Sequence, residues 1–212
     1  MTEHVIEFRP RPRQRVFVRL SGGRSFTIPV SEAHAIGNGS VLSEADVERL
    51  CRIDQYFRGK EKALKLLSIR SRSRHEIRTA LDSLDLEASI RNGILDELEE
   101  FGYIDDNRFA CEYIRAKVDS RQLGPHRLKF ELTKRGVNQS IIDDALGEIF
   151  TGDTQEDLAW KIVRKKLSSQ KPNEKTARRL SAMLRRKGFD FAVVNRVIYE
   201  LLKQVGMEIE ED

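Results

Sequence analysis

Basic side chains between residues 174 and 187 are spaced as a helix needs them to bind an anionic partner. At about 100° per residue, a helix here puts Ala177, Leu180 and Leu184 on one face. The opposite face holds a row of cations that extends over 11 residue steps, about 16 Å of helix. Its members are Lys175, Arg178, Arg179, Arg185 and Arg186. Such a row can contact several phosphates or an acidic protein surface. A solvated helix face rich in Lys and Arg is the alternative, and both interpretations stay open.

Further basic residues lie close to this row or at the equivalent place in earlier segments. Arg164 and Lys165 precede it, Arg127, Lys129, Lys134 and Arg135 occupy one earlier segment, and Arg72 and Arg74 another. A basic strip repeated in this way favours a partner that itself repeats, such as a filament. No aromatic residue interleaves with the arginines of 174–187, so any nucleic-acid contact there is expected with the backbone, independent of sequence and sensitive to salt.

Residue types that could support catalysis are present but do not form a recognised catalytic pattern. The four histidines, His4, His34, His75 and His126, show no H-E-x-x-H spacing. His75 and His126 fall in one repeated column, which favours an architectural role. The acid pairs Asp105-Asp106 and Asp143-Asp144 stand at predicted helix starts, where they complement the helix dipole. A two-metal nuclease site remains an open alternative, but the sequence predicts no enzyme and no metal site.

Cofactor, compartment and membrane signals point to a cytoplasmic protein without a cofactor. Ser21-Gly22-Gly23 is followed by no G-K-[ST], so it predicts a turn and not a phosphate loop. Cys51 and Cys111 are far apart and are expected to be reduced thiols. The N-terminal residues lack the apolar stretch of a secretory signal, and no run approaches the roughly 18 apolar residues of a membrane span.

Charge is distributed unevenly along a chain whose net charge is only +4. Residues 153–203 carry 13 basic and 6 acidic residues, whereas 59–105 carry 8 and 10 and 106–152 carry 8 and 7. Residues 206–212 are an acidic tail with no basic residue. The excess in 153–203 favours a polyanionic or acidic partner at one end of the molecule.

The N-terminal third predicts a small extension built from strands and a helix. Residues 1–14 are rich in Arg and Pro and are expected to be disordered. Residues 15–30 alternate apolar and polar side chains around Ser21-Gly22-Gly23, which predicts a β-hairpin. A lone hairpin is marginal in water, so a helix over Ser43–Phe57, capped by Ser43, is expected to support it. The extension spans 15–58.

Apolar residues repeat at intervals of 51 and 52 residues through the rest of the chain. Six columns match: Ile77, Leu128, Leu180; Leu81, Leu132, Leu184; Leu86, Val137, Phe189; Ile90, Ile141, Val193; Leu95, Leu146, Ile198; and Leu98, Ile149, Leu201. Six columns at one period indicate internal repetition. Each unit is predicted to contain three helices. In the second and third units, Gly136 and Gly188 are expected to end the second helix, and Asn138 and Asp190 are expected to cap the third.

The sequence therefore predicts an all-α protein of three tandem three-helix repeats in an elongated curved array. The repeats span 59–105, 106–152 and 153–205, and a small N-terminal β-hairpin plus helix precedes them. In repeat 1 the second and third helices are expected over about 74–84 and 88–101, after a short separate first helix at about 60–70.

Local strings within these repeats resemble the RecX family of bacterial proteins that regulate the RecA recombinase. Residues 70–77 read RSRSRHEI, residues 101–110 read FGYIDDNRFA, and residues 124–137 read GPHRLKFELTKRGV. The resemblance covers about 60–203 and is strongest over 60–146. The segment 15–57 is similar, more loosely, to the N-terminal extension of longer members.

The resemblance implies a non-catalytic modulator that binds RecA in the groove of its nucleoprotein filament. It implies inhibition of recombination and of the SOS response, with direct contact to single- or double-stranded DNA in some members. The protein is expected to be a monomer. A nucleic-acid-binding helical repeat protein acting without RecA is the alternative from another class.

Overall fold

The computed structural model describes residues 2–33, 36–150, 154–167 and 173–203. Two units are distinguished, one formed by Met1–Arg72 and Glu76–Ile104 and the other by Ser73–His75 and Asp105–Asp212. The acidic tail at 206–212 and the predicted boundary between the second and third repeats lie outside the described residues.

An antiparallel sheet occupies the beginning of the first unit. Its strands are β1 (Glu3–Arg11), β2 (Arg15–Leu20), β3 (Ser25–Pro29) and β4 (Val41–Leu42), in the order β3-β2-β1-β4. A 3-10 turn, Val30–Glu32, follows β3. The β2–β3 pair confirms the predicted hairpin.

The prediction of disorder for residues 1–14 was wrong. Strand β1 pairs with β2 from Val5 to Arg11, and Val5 is buried in the sheet core. A register shift between Val5 and Glu7 breaks the apolar alternation of β1. The composition of the segment therefore concealed a strand that is half-buried along part of its length.

One continuous helix, α1 (Glu44–Leu67), replaces the two separate helices expected on either side of residue 58. Ser43 caps it as predicted, in a reciprocal capping box with Asp46. Val47 and Leu50 pack on the sheet, whereas Ala63 lies in the core of repeat 1. Gly59 does not break the helix: a Cβ there would stand 2.6 Å from Cδ1 of Ile94, so the glycine permits close packing.

The remaining helices form the three predicted three-helix repeats. After the end of α1 come α2 (Arg74–Leu81) and α3 (Ala88–Glu100); repeat 2 has α4 (Asp106–Arg121), α5 (Pro125–Thr133) and α6 (Gln139–Ile149); repeat 3 has α7 (Thr154–Leu167), α8 (Glu174–Lys187) and α9 (Phe191–Lys203). Every residue of the six apolar columns is buried or half-buried, which confirms the repeat pattern. Each repeat keeps its own core.

Candidate partner-binding surface

The second helices of repeats 2 and 3 are joined end to start within the second unit. The amide of Gly124, at the start of α5, donates to the carbonyl of Lys187 at 2.8 Å, and the amide of His126 donates to the carbonyl of Gly188 at 3.0 Å. Gly188 ends α8 in the left-handed region at φ 87°, as its position predicted. A Cβ on Gly188 would lie 2.3 Å from the amide nitrogen of Arg127. This glycine is therefore required for the close approach of the two helices.

Side chains reinforce the same junction. His126 Nε2 lies 2.5 Å from Oδ1 of Asp190, and Gln155 Nε2 donates to Oδ2 of Asp190 at 2.6 Å. Lys187 Nζ donates to the carbonyl of Arg121 at 2.5 Å. Burial, together with the nearby charge of Lys166, lowers the pKa of Lys187. The contacts of His126 agree with the architectural role that its repeated column predicted.

The α8 row comes together as one exposed basic surface. All five predicted cations are exposed, and they are Lys175, Arg178, Arg179, Arg185 and Arg186. Arg178 forms an ion pair with Glu174, one turn earlier on the same helix. The row is thus a surface able to meet an anionic partner, which we call the α8 row.

An aromatic residue that sequence reasoning missed lies against the α8 row. Phe191, the first residue of α9, is 62% exposed, and the guanidinium of Arg185 stands 4.8 Å from its ring centre. Phe191 lies outside residues 174–187, so the helical pattern of that segment does not include it. The turn at Gly188 brings Phe191 back beside Arg185, and the signal was its position directly after that predicted turn.

The α5 helix presents a smaller version of the same surface. Arg127 and Lys134 flank Phe130, at 5.6 and 4.5 Å from its ring centre, and Phe130 is 49% exposed. In the repeat alignment these three residues correspond to Arg179, Arg186 and Ala182 of α8. We call Arg127, Phe130 and Lys134 the α5 row.

Two predicted members of the α5 set turn away from this row. Arg135 is half-buried, with its guanidinium 4.7 Å from the ring centre of Tyr113. Lys129 donates to Oδ1 of Asp143 on α6 at 2.7 Å. These two cations are engaged by neighbouring helices, so the four predicted residues do not form one strip.

Glu131 reduces the charge of the α5 surface further. Its carboxylate accepts hydrogen bonds from the Tyr113 hydroxyl at 2.7 Å and from Arg127 Nε at 3.0 Å. Burial opposes ionisation, but these hydrogen bonds outweigh it, so the pKa of Glu131 lies below its ordinary value. Burial and the contact with Glu131 raise the pKa of Tyr113.

The predicted cations before α4, Arg72 and Arg74, have contacts within the protein. Arg72 is half-buried, and its Nε donates to the carbonyl of Leu66 at 3.3 Å. Arg74 is also half-buried, and its amide donates to Oδ1 of Asp106 at 2.8 Å. In repeat 1 the position equivalent to Arg127 is Glu76, which pairs with Arg70 at 2.8 Å. The role of Arg72 and Arg74 in partner binding stays a prediction.

Arg164 and Lys165 lie on a different helix from the α8 row. Both are exposed in the last turn of α7, where cations complement the helix dipole. The guanidinium of Arg164 lies 5.7 Å from the ring centre of Trp160. Contact of Arg164 and Lys165 with a partner stays a prediction.

Residues considered for catalysis have structural contacts. Asp105 caps α4 by accepting from the amide of Arg108, Asp106 accepts from Arg74, and Asp143 accepts from Lys129. Over the ranges that the structure describes, no cluster of three or more His, Cys, Asp or Glu side chains could hold a metal ion. His34 lies outside these ranges, and Cys51 and Cys111 are free thiols.

Among the described helices, none combines the length and apolar character needed to cross a membrane.

Two family models match the chain over the repeats that carry the rows. "RecX, second three-helix domain" matches residues 105–146, and "RecX, third three-helix domain" matches residues 153–198. The first range contains α4, α5 and most of α6, and the second contains α7, α8 and most of α9.

Relatives named "Regulatory protein RecX" align over most of the chain. The protein from Amycolatopsis mediterranei is 31% identical over 157 residues, which is 73% of this chain and 89% of the relative. The protein from Bacillus pumilus is 28% identical over 94% of this chain and 76% of its own length.

Solved structures share the fold. "Crystal structure of regulatory protein RecX" superposes with a TM-score of 0.69 at 25% identity and covers 95% of this chain and 99% of that one. "Crystal structure of RecX from Lactobacillus salivarius" has a TM-score of 0.64 at 26% identity, with coverages of 70% and 97%.

Proposed function

This chain belongs to the RecX family of regulatory proteins, and from that premise we propose that it is a non-catalytic modulator of the RecA recombinase. In this proposal it binds in the groove of the RecA–DNA filament as a monomer. It thereby limits filament growth, recombination and the SOS response. The proposal rests on one structural observation: two exposed cation pairs occur at equivalent positions of neighbouring repeats.

The cation pairs are Arg127 with Lys134 on α5 and Arg179 with Arg186 on α8. All four residues are exposed. The junction between Gly124 and Gly188 holds their helices in fixed register through main-chain hydrogen bonds. A filament presents the same surface again at each subunit, so a protein with two equivalent contact points can engage successive subunits together. Two linked contacts bind more tightly than one, because the second forms within the complex.

Charge supports an anionic contact surface on the partner. Arginine donates to a carboxylate or a phosphate through two parallel N–H groups, which makes Arg179 and Arg186 suited to either group. Exposed charges of this kind raise the association rate, and their attraction to an anionic partner becomes weaker as the salt concentration rises. Binding to filaments is therefore expected to be tightest at low ionic strength.

The test is co-sedimentation of this protein with RecA filaments formed on single-stranded DNA, followed by electron microscopy. We expect the protein to sediment with the filaments, to add density in the groove and to shorten them, with a fall in their ATPase activity. No binding and no effect on filament length at micromolar protein would end the proposal.

A second candidate is sequence-independent binding of nucleic acid without RecA, favoured by the cations of the α8 row and by Phe191 beside Arg185. It predicts saturable DNA binding that weakens steeply with salt and is lost when Arg178, Arg179, Arg185 and Arg186 become Ala. If that variant still regulates filaments but no longer binds free DNA, RecA is the partner of the remaining surface. If it loses only DNA binding and the wild type never affects RecA, the second candidate stands.

A further inference from the structure

Three arginines surround one phenylalanine on the N-terminal sheet. The guanidinium carbons of Arg9, Arg11 and Arg19 lie 5.6, 5.5 and 5.5 Å from the ring centre of Phe17. All three arginines are exposed, and Phe17 is half-buried beneath them. We call these four residues the sheet face.

Strand pairing places these side chains on the outer side of the sheet. Val16 and Val18 point into the core, so Phe17 between them points outward. Arg9 lies opposite Phe17 in the β1–β2 register, and Arg11 is two residues along the same strand. Arg19 is two residues from Phe17 on β2. The face is thus fixed by backbone register and not by flexible loops.

The sheet face has more positive charge than its carboxylates balance. In the described part of the chain, Glu7 is the acid with ion pairs to this group, at 3.5 Å to Arg9 and 3.6 Å to Arg19. Other arginines of the sheet have closer partners: Arg13 and Arg15 bind Glu61 at 2.8 and 3.0 Å. Three like charges around one ring repel one another, and an anionic ligand relieves that repulsion.

The ring makes the cluster better suited to binding. A guanidinium stacked on an aromatic face keeps its N–H donors in the plane, where they remain available to an anion. Stacking also restricts the long side chain, so less conformational entropy is lost when a ligand binds. Because guanidiniums cover the ring of Phe17, a nucleic-acid base has little room to stack on it.

A basic groove lies next to the sheet face in the same unit. It has a volume of about 1000 Å³, and Phe57, Leu64 and Leu84 are apolar residues that line it. Six basic residues and one acidic residue also line it: Arg13, Arg15, Arg58, Lys60, Lys62, Lys65 and Glu61. Glu61 pairs with Arg13 and Arg15, so the lining keeps an excess of positive charge. Arg15 lies opposite Arg11 in the β1–β2 register, so it connects the sheet face to the groove.

We propose that the sheet face binds the phosphodiester backbone of single-stranded DNA, which continues past Arg15 into the groove. Arg11 and Arg19 are separated by four strand positions because Arg19 lies opposite Glu7, which is about 13 Å of strand. Phosphates of an extended single strand lie about twice as far apart as the 3.4 Å per strand of a duplex axis, so this length meets two or three of them. A flexible single strand can follow both surfaces, whereas duplex DNA is stiff over roughly 150 base pairs.

An acidic peptide added as a further strand fits this site less well. The outer edge of β1 pairs with β4 at Glu3 and His4, and the main chain of Val5 bonds there to Gly39 and Ser40. Farther along the strand, residues 9–11 are exposed and accessible. Pro10 lies in that accessible part and has no N–H to offer a ladder. The proposal is independent of RecA, because no residue of the sheet face belongs to the α5 or α8 rows.

The experiment measures binding of the full chain to a fluorescent oligothymidylate by anisotropy across a salt series. Arg9→Ala/Arg11→Ala is compared with Arg49→Ala/Arg52→Ala, which removes two exposed charges from α1 of the same unit. We expect the first variant to weaken binding about tenfold near 0.1 M salt and to reduce the salt slope by about 1.4, two contacts at roughly 0.7 each. The second variant is expected to bind as the wild type does. Arg9→Lys/Arg11→Lys keeps the charge and should recover most of the slope.

Three outcomes would overturn the proposal once circular dichroism has shown both Ala variants to be folded. The Arg9/Arg11 variant could bind DNA like the wild type, which would leave the α8 row responsible. The Arg49/Arg52 variant could lose as much, which would make the effect one of net charge. The Arg9/Arg11 variant could keep DNA binding and lose only binding to a polyglutamate probe, which would identify an acidic protein as the ligand.

Discussion

Helices α5 and α8 occupy the same place in neighbouring repeats yet present different charges to solvent. Both bury leucines of the same columns, Leu128 and Leu132 in α5 and Leu180 and Leu184 in α8. In α5, Glu131 engages Arg127 and Asp143 engages Lys129, whereas Phe130 stands between Arg127 and Lys134. In α8 the ion-paired carboxylate is Glu174, at the first helical position.

The difference shows that repetition fixes where a side chain stands but not whether its charge is available. Availability depends on neighbouring helices, because Asp143 is on α6 and Tyr113 is on α4. The α8 row should therefore dominate an interaction with an anionic partner, and the α5 row should support it. Each of the following changes breaks or sharpens that contrast.

The largest effect is expected from Gly188→Ala, which disrupts the junction that holds the two helices in register. The new Cβ meets the main chain of Arg127 at 2.3 Å, and φ is 87°. We expect the free energy of unfolding to fall by about 2–4 kcal/mol, measured by urea denaturation. Gly147→Ala is the control, because a Cβ there meets no atom within 4 Å. It should be neutral or stabilise α6 by roughly 0.5–1 kcal/mol. Equal losses would contradict the role of the junction.

Removing charge from each row in turn should show that the α8 row contributes more to filament binding than the α5 row. Arg179→Ala/Arg186→Ala is expected to weaken filament binding about tenfold, and Arg127→Ala/Lys134→Ala about threefold, because Arg127 already bonds to Glu131. Co-sedimentation with RecA–DNA filaments at two salt concentrations measures both. Lys129→Ala is the control, since that ammonium is engaged by Asp143. A greater loss from the α5 variant would reverse the assignment.

Glu131→Gln makes α5 more like α8, whose equivalent residue is Met183. The charged hydrogen bonds to Tyr113 and Arg127 are lost, so we expect about 1 kcal/mol less stability at pH 7. Because the pKa of Glu131 is lowered on folding, its contribution is present above the unfolded pKa and disappears as pH falls through the folded pKa. The unfolding free energies of the wild type and the variant should therefore become equal at acidic pH. Filament binding should rise about twofold as Arg127 is released. Glu112→Gln, at an exposed carboxyl of α4, should change neither property.

Phe130→Ala is expected to have the smallest effect, because α8 already has Ala182 at the equivalent position. With half of the side chain exposed, the loss is that of a surface cation–π contact and limited apolar burial, under about 1 kcal/mol. Urea denaturation measures the stability. Filament co-sedimentation measures the binding affinity, which should stay within about twofold of the wild-type value. Phe109→Ala, at a residue that is buried, should cost roughly 3–5 kcal/mol by comparison. A large effect of Phe130→Ala on binding would make the α5 aromatic a contact residue.

Intrahelical patterns were predictable from the sequence because one helix determines them. The α8 row follows from the 3.6 residues per turn of an α-helix. The column of Ile77, Leu128 and Leu180 follows from the apolar stripe that each helix must bury. The left-handed ends at Gly136 and Gly188 follow from the residue type that such a position favours.

Contacts between helices were not predictable in the same way. Arg135 meets Tyr113 from 22 positions earlier, and Lys129 meets Asp143 from the next helix, so neither partner appears in a helical wheel. Strand β1 was not predicted, because its register shift interrupts the alternation of apolar and polar residues that is typical of a half-buried strand.

The uninterrupted course of α1 also limits how this protein can be divided. At about 1.5 Å per residue, its 24 residues form a rod of roughly 36 Å with one half in each of two cores. Cutting the chain at residue 58 would break this helix and would separate Tyr56 from the repeat 1 core and Gln55 from the amide of Glu87. The sheet and the first repeat should therefore unfold in a single thermal transition. A chimera that exchanges either of them with the equivalent part of a relative must include all of α1.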